Sequence, residues 1–517
     1  MENFIPTVDA LVRRNVYRYP NKVASVSGEE RLTYGQLNER MNGMINGLTH
    51  LGVLKGDRVA IFSHNHGRYF EFLCGAAKGG FALCTINSML KEKELLYILQ
   101  DSGSKVMIYH SQYSDLVNKV APQCPELKHR ICFDHPPTGV MDYDQMVASS
   151  PKDEPKIEVH PDDTLLLVYT SGTTGKPKGV MLSQYNIFFN AVDSVTGVEL
   201  GQDTINLNVL PLFHVAASVH QTYATLYIGG TSVTVSQFDP PEFLQTIERE
   251  RITYTFVVPT MLFRILELPD LQKYDLSSLR RLGYGAAPMP YDRLKKAIEV
   301  FGQVLYQGYG STEATANICV LRCEDHRLDK TEAEMRKLKA CGREHSNHDL
   351  RVVNERGKPV EPGEVGEIIY RGPSVMKGYW KNPEATAKAI RDGWLYTGDM
   401  AMVDEENYIY LVDRKNDMII SGGENIYPKE VENVLFSHPA ILEAAVVGVL
   451  HRDWGEVPKA FVVLRPGLKT TEKEIIDFCK QHLAGYKCPK SVRFIDEVPK
   501  TASGKITRAG IREKYLR

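Results

Sequence analysis

Two short apolar runs enclose a loop of hydroxyls, glycines and lysines, and this unit limits what the rest of the chain can be. Thr164-Leu165-Leu166-Leu167-Val168 is β-prone, Val180-Met181-Leu182 resumes that character, and Tyr169-Thr170-Ser171-Gly172-Thr173-Thr174-Gly175-Lys176-Pro177-Lys178-Gly179 stands between them. The spacing predicts two strands joined by the loop. Gly172, Gly175 and Gly179 let the backbone turn its N–H groups inward, the Ser and Thr residues add hydroxyl donors, and Lys178 adds positive charge, a combination suited to gripping phosphate. It is not the P-loop of nucleoside triphosphatases, because Gly175-Lys176-Pro177 stands where that motif needs Gly-Lys-Ser/Thr. The same residue types also make an ordinary polar turn, so the loop by itself leaves both readings open.

A chain of 517 residues implies more than one domain. With a net charge of -2, 43% hydrophobic and 24% charged residues, it has no basic excess that would make nucleic acid its main partner. Met1-Glu2-Asn3-Phe4-Ile5-Pro6 lacks the basic-then-apolar pattern of a signal segment, and no apolar run is long enough to span a bilayer. The expectation is a cytoplasmic protein with no transmembrane segment, peripheral membrane contact being left open. Of the nine cysteines only Cys319 and Cys323 stand close, and no His or second Cys pair completes a zinc site, so reduced thiols are expected.

Along the chain, Thr33 and Gln36 form a capping box before Leu37, Met41, Met44, Ile45 and Leu48 at helical spacing, and Gly52 ends the segment. Strand-like runs at 58–62, 81–86 and 105–109 alternate with a helical run at 69–78, which makes the first part α/β. Beyond the loop, Ser183 is placed to cap a helix through Tyr185, Phe188 and Val192, and runs at 231–235, 252–259 and 280–285 resume the alternation. From about 350 to 412 short alternating runs separated by turns predict a small β subdomain, and the last hundred residues predict a compact α+β module. The polar tetrad Asp413-Arg414-Lys415-Asn416 is the natural boundary. The expected architecture is therefore α/β: a large N-terminal domain, 1–412, of two α/β subdomains and a small β subdomain, a linker at 413–416, and a mobile α+β domain at 417–517.

Four further motif sets follow the loop in order: Pro211-Leu212-Phe213-His214; Gly285-Ala286-Ala287-Pro288 with Tyr309-Gly310-Ser311-Thr312-Glu313; Trp394-Leu395-Tyr396-Thr397-Gly398-Asp399; and Asp413-Arg414-Lys415-Asn416 through Ser421-Gly422-Gly423-Glu424-Asn425-Ile426-Tyr427-Pro428 to Ala502-Ser503-Gly504-Lys505. Together they resemble the adenylate-forming superfamily of acyl-CoA synthetases, luciferases and peptide-synthetase adenylation domains. Taken singly, Glu313 and Asp399 read as solvated carboxylates, Tyr309 as core and Lys505 as a surface lysine; their joint order outweighs those readings.

The resemblance implies an enzyme that activates a carboxylic acid with ATP, releases pyrophosphate and passes the acyl group to coenzyme A. It implies that Thr170, Ser171, Gly172, Thr173, Thr174, Gly175 and Lys178 hold the β and γ phosphates, Thr312 the α-phosphate, and Glu313 a Mg²⁺ bridging the nucleotide oxygens. Tyr309 and Gly310 with Gly285, Ala286 and Ala287 would enclose adenine, while Asp399 and Arg414 would take the ribose. Lys505 would reach the carboxylate and α-phosphate during transfer. A second pose would replace Lys505 with the Gly422-Gly423-Glu424 face for thioester formation, swinging about a hinge at Asn416, where relatives carry Asp or Lys.

By the same resemblance His214, Val215, Ala216, Ser218, Gly283, Tyr284 and Gly308 line the acyl pocket. Small Ala216 and Gly283 suggest a roomy, apolar site: a medium- or long-chain fatty acid first, a bulky alicyclic or aromatic acid next, and not acetate. A second departure, Gly342-Arg343-Glu344-His345-Ser346-Asn347, where relatives commonly have prolines after Gly-Arg, is expected to alter a local loop only. The reaction can run in reverse to form ATP. Alternatives are transfer to a separate carrier protein, oxidation of the adenylate, or a non-catalytic nucleotide- or acyl-binding protein. The oligomeric state stays open, a homodimer included.

Overall fold

The computed structural model describes residues 5–170, 176–287, 289–422, 424–500 and 506–516, with the backbone alone at 332, 333 and 416. Its architecture is a large N-terminal domain of three sheets followed by a smaller α+β domain.

The first sheet has eight strands, in the order Gly378–Tyr379, Lys178–Ser183, Thr164–Thr170, Ala82–Ile86, Arg58–Phe62, Val106–His110, His129–Phe133, Met141–Asp142. From Thr164–Thr170 onward the pairing is parallel, and the two edge strands before it are antiparallel. Parallel strands are covered on both faces and so read as unbroken apolar runs. Val59-Ala60-Ile61-Phe62 and Leu165-Leu166-Leu167-Val168 are buried throughout. The helix Tyr34–His50 begins with the expected capping box: Gln36 N–H donates to Thr33 Oγ1 at 3.2 Å and Thr33 N–H to Gln36 Oε1 at 2.9 Å. Its apolar stripe, Leu37 to Leu48, is buried.

The second sheet has nine strands around Arg281–Gly285 and Leu305–Gly310. One feature of it lay beyond the sequence: the hairpin Val23–Ser27 and Glu30–Thr33 joins this sheet rather than the first, through parallel pairing of Ser25 and Val26 with Ser232 and Val233. The helix Gln184–Val198 starts at Ser183, whose hydroxyl accepts from Asn186 N–H at 3.1 Å, and packs against a first core that holds Leu166, Val180, Phe256 and Tyr306; a second core holds Leu207, Val257 and Leu282. A third, antiparallel sheet of five strands spans Asp349–Val353 to Ile409–Arg414, as the alternating runs indicate. The fourth sheet, Ile419–Ser421 to Ser491–Phe494, carries the helices Pro428–Ser437, Glu472–His482 and Arg508–Tyr515.

The third sheet's last strand runs on through Asp413 and Arg414 before the turn Lys415–Asp417. All nine cysteines are free, and only Cys323 is partly exposed. Among the described residues no helix is long and apolar enough to cross a membrane.

Candidate active site

The predicted phosphate loop leaves its sheet with Thr170 paired opposite Lys178. Ser171, Gly172, Thr173, Thr174 and Gly175 lie outside the described residues, as do Pro288, Gly423 and Lys505. The Lys178 ammonium stands 4.4 Å from the centre of the Tyr379 ring. Tyr379 sits on the edge strand, paired with Val180, and its hydroxyl donates to Glu313 Oε1 at 3.0 Å. One tyrosine thus ties the phosphate-loop lysine to the predicted metal carboxylate. Burial, then the neighbouring Glu313 charge, pushes the Tyr379 phenol upward, so it stays a donor.

A second cluster joins three motifs. Asp399 and Arg414 are register partners on adjacent antiparallel strands. Arg414 Nε lies 2.7 Å from Asp399 Oδ1, and the Tyr309 hydroxyl donates to Asp399 Oδ2 at 2.7 Å. Tyr309 and Asp399 are buried, whereas the Arg414 side chain is 56% exposed. The Asp399 carboxylate holds the Arg414 pKa up, and burial followed by Asp399 raises the Tyr309 phenol. Each carboxylate oxygen spends one acceptor site here and retains capacity for a further donor, which suits a vicinal diol.

Gly285-Ala286-Ala287 leaves its strand beside this cluster, because Gly285 pairs with Gly308, next to Tyr309. Ala286 holds φ +62°, a left-handed conformation costly for a residue with a Cβ. Gly310 has no alternative: a Cβ there would lie 1.6 Å from the Ala316 carbonyl oxygen. The turn after it carries Thr312, whose carbonyl accepts from Thr315 N–H at 3.0 Å, and Glu313, whose carbonyl accepts from Met376 N–H at 2.9 Å.

This gathering of Lys178, two tyrosines, two carboxylates and an arginine agrees with kinship. The family model described as AMP-binding enzyme matches residues 12–380, and that of the AMP-binding enzyme C-terminal domain matches 430–505. The chain belongs to this family of adenylate-forming acyl-CoA synthetases. Among its relatives, a feruloyl-CoA synthase from Amycolatopsis sp is 41% identical over 496 residues, covering 96% of each chain. The long-chain-fatty-acid–CoA ligase FadD13 of Mycobacterium tuberculosis is 35% identical, covering 95% of this chain and 94% of its own. Among solved structures, the anthranilate CoA ligase AuaEII in complex with anthranoyl-AMP superposes with a TM-score of 0.89 at 28% identity, over 98% of this chain and 96% of that one.

The residues expected at the family's acyl pocket divide. Val215 and Ala216 pack on the first core, Ala216 opening the π-helical segment Ala216–Tyr223. Ser218 spends its hydroxyl on the His214 carbonyl at 2.9 Å. Tyr284 does not join them: the strand pleat turns it to the opposite face from Gly283 and Gly285, into the second core, where its hydroxyl meets His326 Nε2 at 2.9 Å. Gly283 does not open space either. A Cβ there would lie 2.3 Å from the Phe256 ring and 2.4 Å from the Tyr306 hydroxyl, so the glycine exists to admit those rings. Gly308 likewise makes room for Asn317, whose Nδ2 would lie 2.2 Å from its Cβ. Small residues here signify close packing by larger neighbours, a distinction composition cannot make.

At the predicted coenzyme A face, Gly422 adopts φ +60° and donates its N–H to the Trp454 carbonyl at 2.8 Å, with the Trp454 ring over its α-carbon. Glu424 is exposed on the strand Glu424–Ile426. Sequence reasoning passed over Tyr379, Trp454 and Asn65. Asn65 is buried and clamps the loop before His214, its Nδ2 donating to the Leu210 carbonyl and its Oδ1 accepting from Leu212 N–H, both at 2.8 Å. Thr85 Oγ1 adds a bond to the Phe213 carbonyl at 3.1 Å. An Asn just past a strand, ahead of a helix, was the available signal.

Proposed function

We propose that this enzyme makes an acyl-AMP from a carboxylic acid and ATP, releasing pyrophosphate, and then transfers the acyl group to coenzyme A. The observation that carries the reading is the Tyr309–Asp399–Arg414 cluster, which brings three separated motifs to one carboxylate. Asp399 takes the ribose hydroxyls, Arg414 reinforces that end, and Tyr309, tethered by its hydroxyl, presents a fixed ring to adenine. Lys178 and the phosphate loop hold the β and γ phosphates, Thr312 donates to the α-phosphate, and Lys505 stabilises charge on the transferring oxygens.

Among the described residues no group of three or more His, Cys, Asp or Glu side chains could hold a metal ion alone. A single carboxylate suits Mg²⁺, which keeps waters and takes its other oxygens from nucleotide phosphates, so Glu313, steadied by Tyr379, fits that role. When bound there the ion neutralises phosphate charge.

The two half-reactions share one site if the C-terminal domain turns about 413–416, exchanging Lys505 for the Gly422-Gly423-Glu424 face. The names of the relatives divide between aryl and fatty acids. At Gly283 and Gly308 the side-chain space is taken by Phe256, Tyr306 and Asn317, so the choice between the two classes falls to a panel of aryl and fatty acids. The test is acid-dependent release of AMP and pyrophosphate with and without coenzyme A, followed by mass detection of the thioester. A coenzyme-A-dependent thioester supports the reading; AMP release without thioester formation contradicts its second half, and no acid-dependent turnover contradicts it altogether.

A further inference from the structure

The two strands that flank the phosphate loop are fastened by a helix as well as by their own sheet. That helix, Glu92–Ser102, ends with Asp101 in its last turn and carries no basic residue there. An acid at a helix C-terminus opposes the macrodipole, so Asp101 needs another reason to stand there. Its carboxylate accepts from the Tyr169 hydroxyl at 2.6 Å, and Tyr169 lies at the end of the strand that enters the loop. Its carbonyl, one of those a helix end leaves without an intrahelical partner, accepts from Trp380 Nε1 at 3.0 Å and from Lys381 Nζ at 2.7 Å. The strand leaving the loop is held in the same knot, because Tyr169 Cζ and Trp380 Cβ come so near Gly179 that an added Cβ would lie 3.1 and 3.3 Å from them.

One turn earlier on the same helix, Tyr97 holds the outgoing side. Its hydroxyl donates to the Pro177 carbonyl at 3.1 Å, and the Lys176 ammonium stands 5.7 Å from the centre of its ring. Residues four apart share a helix face, so Tyr97 and Asp101 grip the outgoing and incoming chain from a single surface. Lys176 is exposed, and no carboxylate among the described residues pairs with it. Lys178 is seated in the same way, over the Tyr379 ring at 4.4 Å. A tyrosine face holds an ammonium through its quadrupole without cancelling the charge, as a carboxylate would. The ammonium N–H groups stay available to an anion. Lys176 and Lys178, each kept on a neutral ring, therefore form a pair of cations suited to the multiply charged end of a nucleoside triphosphate.

We propose that Lys176 is a second cation for the β and γ phosphates and that Tyr97, with Asp101, positions it. This rests on the nucleotide reading of the site. Lys176 donates to phosphate oxygens, whereas Tyr97 and Asp101 act through the chain: by holding Pro177 and Tyr169 they fix the spacing of the two flanks and the direction in which Lys176 and Lys178 extend. The Tyr97 hydroxyl is spent on the Pro177 carbonyl, so it is a positioning group and not a ligand. Burial, then the Asp101 charge, raises the Tyr97 phenol, which stays a donor. AMP lacks the β and γ phosphates and should be indifferent to Lys176, which separates a phosphate role from a merely structural one.

The experiment measures Kd by calorimetry for the Mg²⁺ complex of α,β-methylene-ATP and for AMP, in the wild-type enzyme and in Lys176→Met, Tyr97→Phe and Tyr97→Leu. Lys176→Met should weaken the ATP analogue by about tenfold and AMP by less than about twofold, as loss of one charge-assisted hydrogen bond predicts. Tyr97→Phe keeps the ring and loses the hydroxyl, so its loss should fall between the wild type and Tyr97→Leu, which keeps neither. Lys176 is exposed, and its variant carries the test if Tyr97→Leu does not fold. Unchanged affinity for the analogue in Lys176→Met, or equal losses for analogue and AMP, overturns the proposal. A folded Tyr97→Leu that binds the analogue as the wild type does removes Tyr97 from the positioning role. A wild-type enzyme that binds neither nucleotide defeats the nucleotide reading itself, a different result from binding both without dependence on Lys176.

Discussion

At the scale of single residues, the candidate site separates what a sequence can declare from what only a fold can assemble. Asp399 and Arg414 were legible because each sits in a motif whose order along the chain is informative. Tyr379 was not, because Gly378-Tyr379-Trp380 has no distinctive pattern, and its importance comes from strand pairing that sets it between Lys178 and Glu313. Its hydroxyl bonds a charged acceptor, an interaction worth about 1.5–3 kcal/mol, so Tyr379→Phe should weaken productive ATP binding by about tenfold or more. The measurement is KM for MgATP with acid and coenzyme A saturating, alongside thermal unfolding. A variant of unchanged stability and unchanged KM would remove Tyr379 from the site. Asp399→Asn keeps the shape but removes the charge that Arg414 faces, and with Asp399 assigned to the ribose it should raise KM for ATP more than KM for the acid.

At the scale of elements, local signals were read well and long-range pairing was not. The capping box of Tyr34–His50 and the cap at Ser183 follow from residues three apart, where sequence and geometry coincide. The assignment of Val23–Thr33 to the second sheet depends on a partner about 200 residues away, which no local pattern encodes. Tyr284 shows the same limit, since a two-residue period tells which residues share a face but not which core that face meets. The loop 209–214 belongs with these long-range effects. Its path is set by Asn65 and Thr85 from the other sheet, and removing Asn65 leaves a buried carbonyl and a buried N–H without their partners. Asn65→Ala should therefore destabilise the protein by about 1–3 kcal/mol. It should also raise KM for the acid several-fold while leaving KM for ATP nearly unchanged, because the loop carries His214 and not the nucleotide residues. Equal effects on both constants would show a global rather than a local role.

For the whole molecule, the buried histidines and one arginine decide how the fold answers acid and how its parts are joined. Burial lowers His220 to about 3 and His326 and His345 to about 4, whereas a free imidazole titrates near 6.5. Between about pH 6.5 and 4 the unfolded chain binds protons that the folded chain refuses, so stability rises with pH across that window and is lost as pH falls. Each histidine contributes up to about 1.4 kcal/mol per pH unit there. Glu71 and Glu432, raised by burial, work in the opposite sense. Replacing His326 by Gln should make the pH dependence of denaturant unfolding shallower by about one proton, and an unaltered slope would refute the assignment. Arg508, on the last helix, collects the junction between domains. Its Nη1 bonds Asp417 Oδ2 at 2.9 Å and Asp413 Oδ1 at 3.3 Å, its Nη2 bonds both Glu432 oxygens at 3.0 Å, and its Nε bonds the Val446 carbonyl at 3.1 Å. Asp413 lies in the last strand of the third sheet and Asp417 closes the turn after it, so one planar fork spans the proposed hinge. Arg508→Ala strands three carboxylates, and loss of one partner from a buried ionic group costs about 3–5 kcal/mol. Arg508→Lys keeps the charge but not the fork and should recover only part of that loss. Because the fork holds one orientation of the turn, both variants should change the single-turnover rates of adenylate formation and thioester formation by unequal factors. Equal factors, with stability restored by low concentrations of a stabilising osmolyte, would mean that Arg508 only holds the fold together and has no share in the rotation.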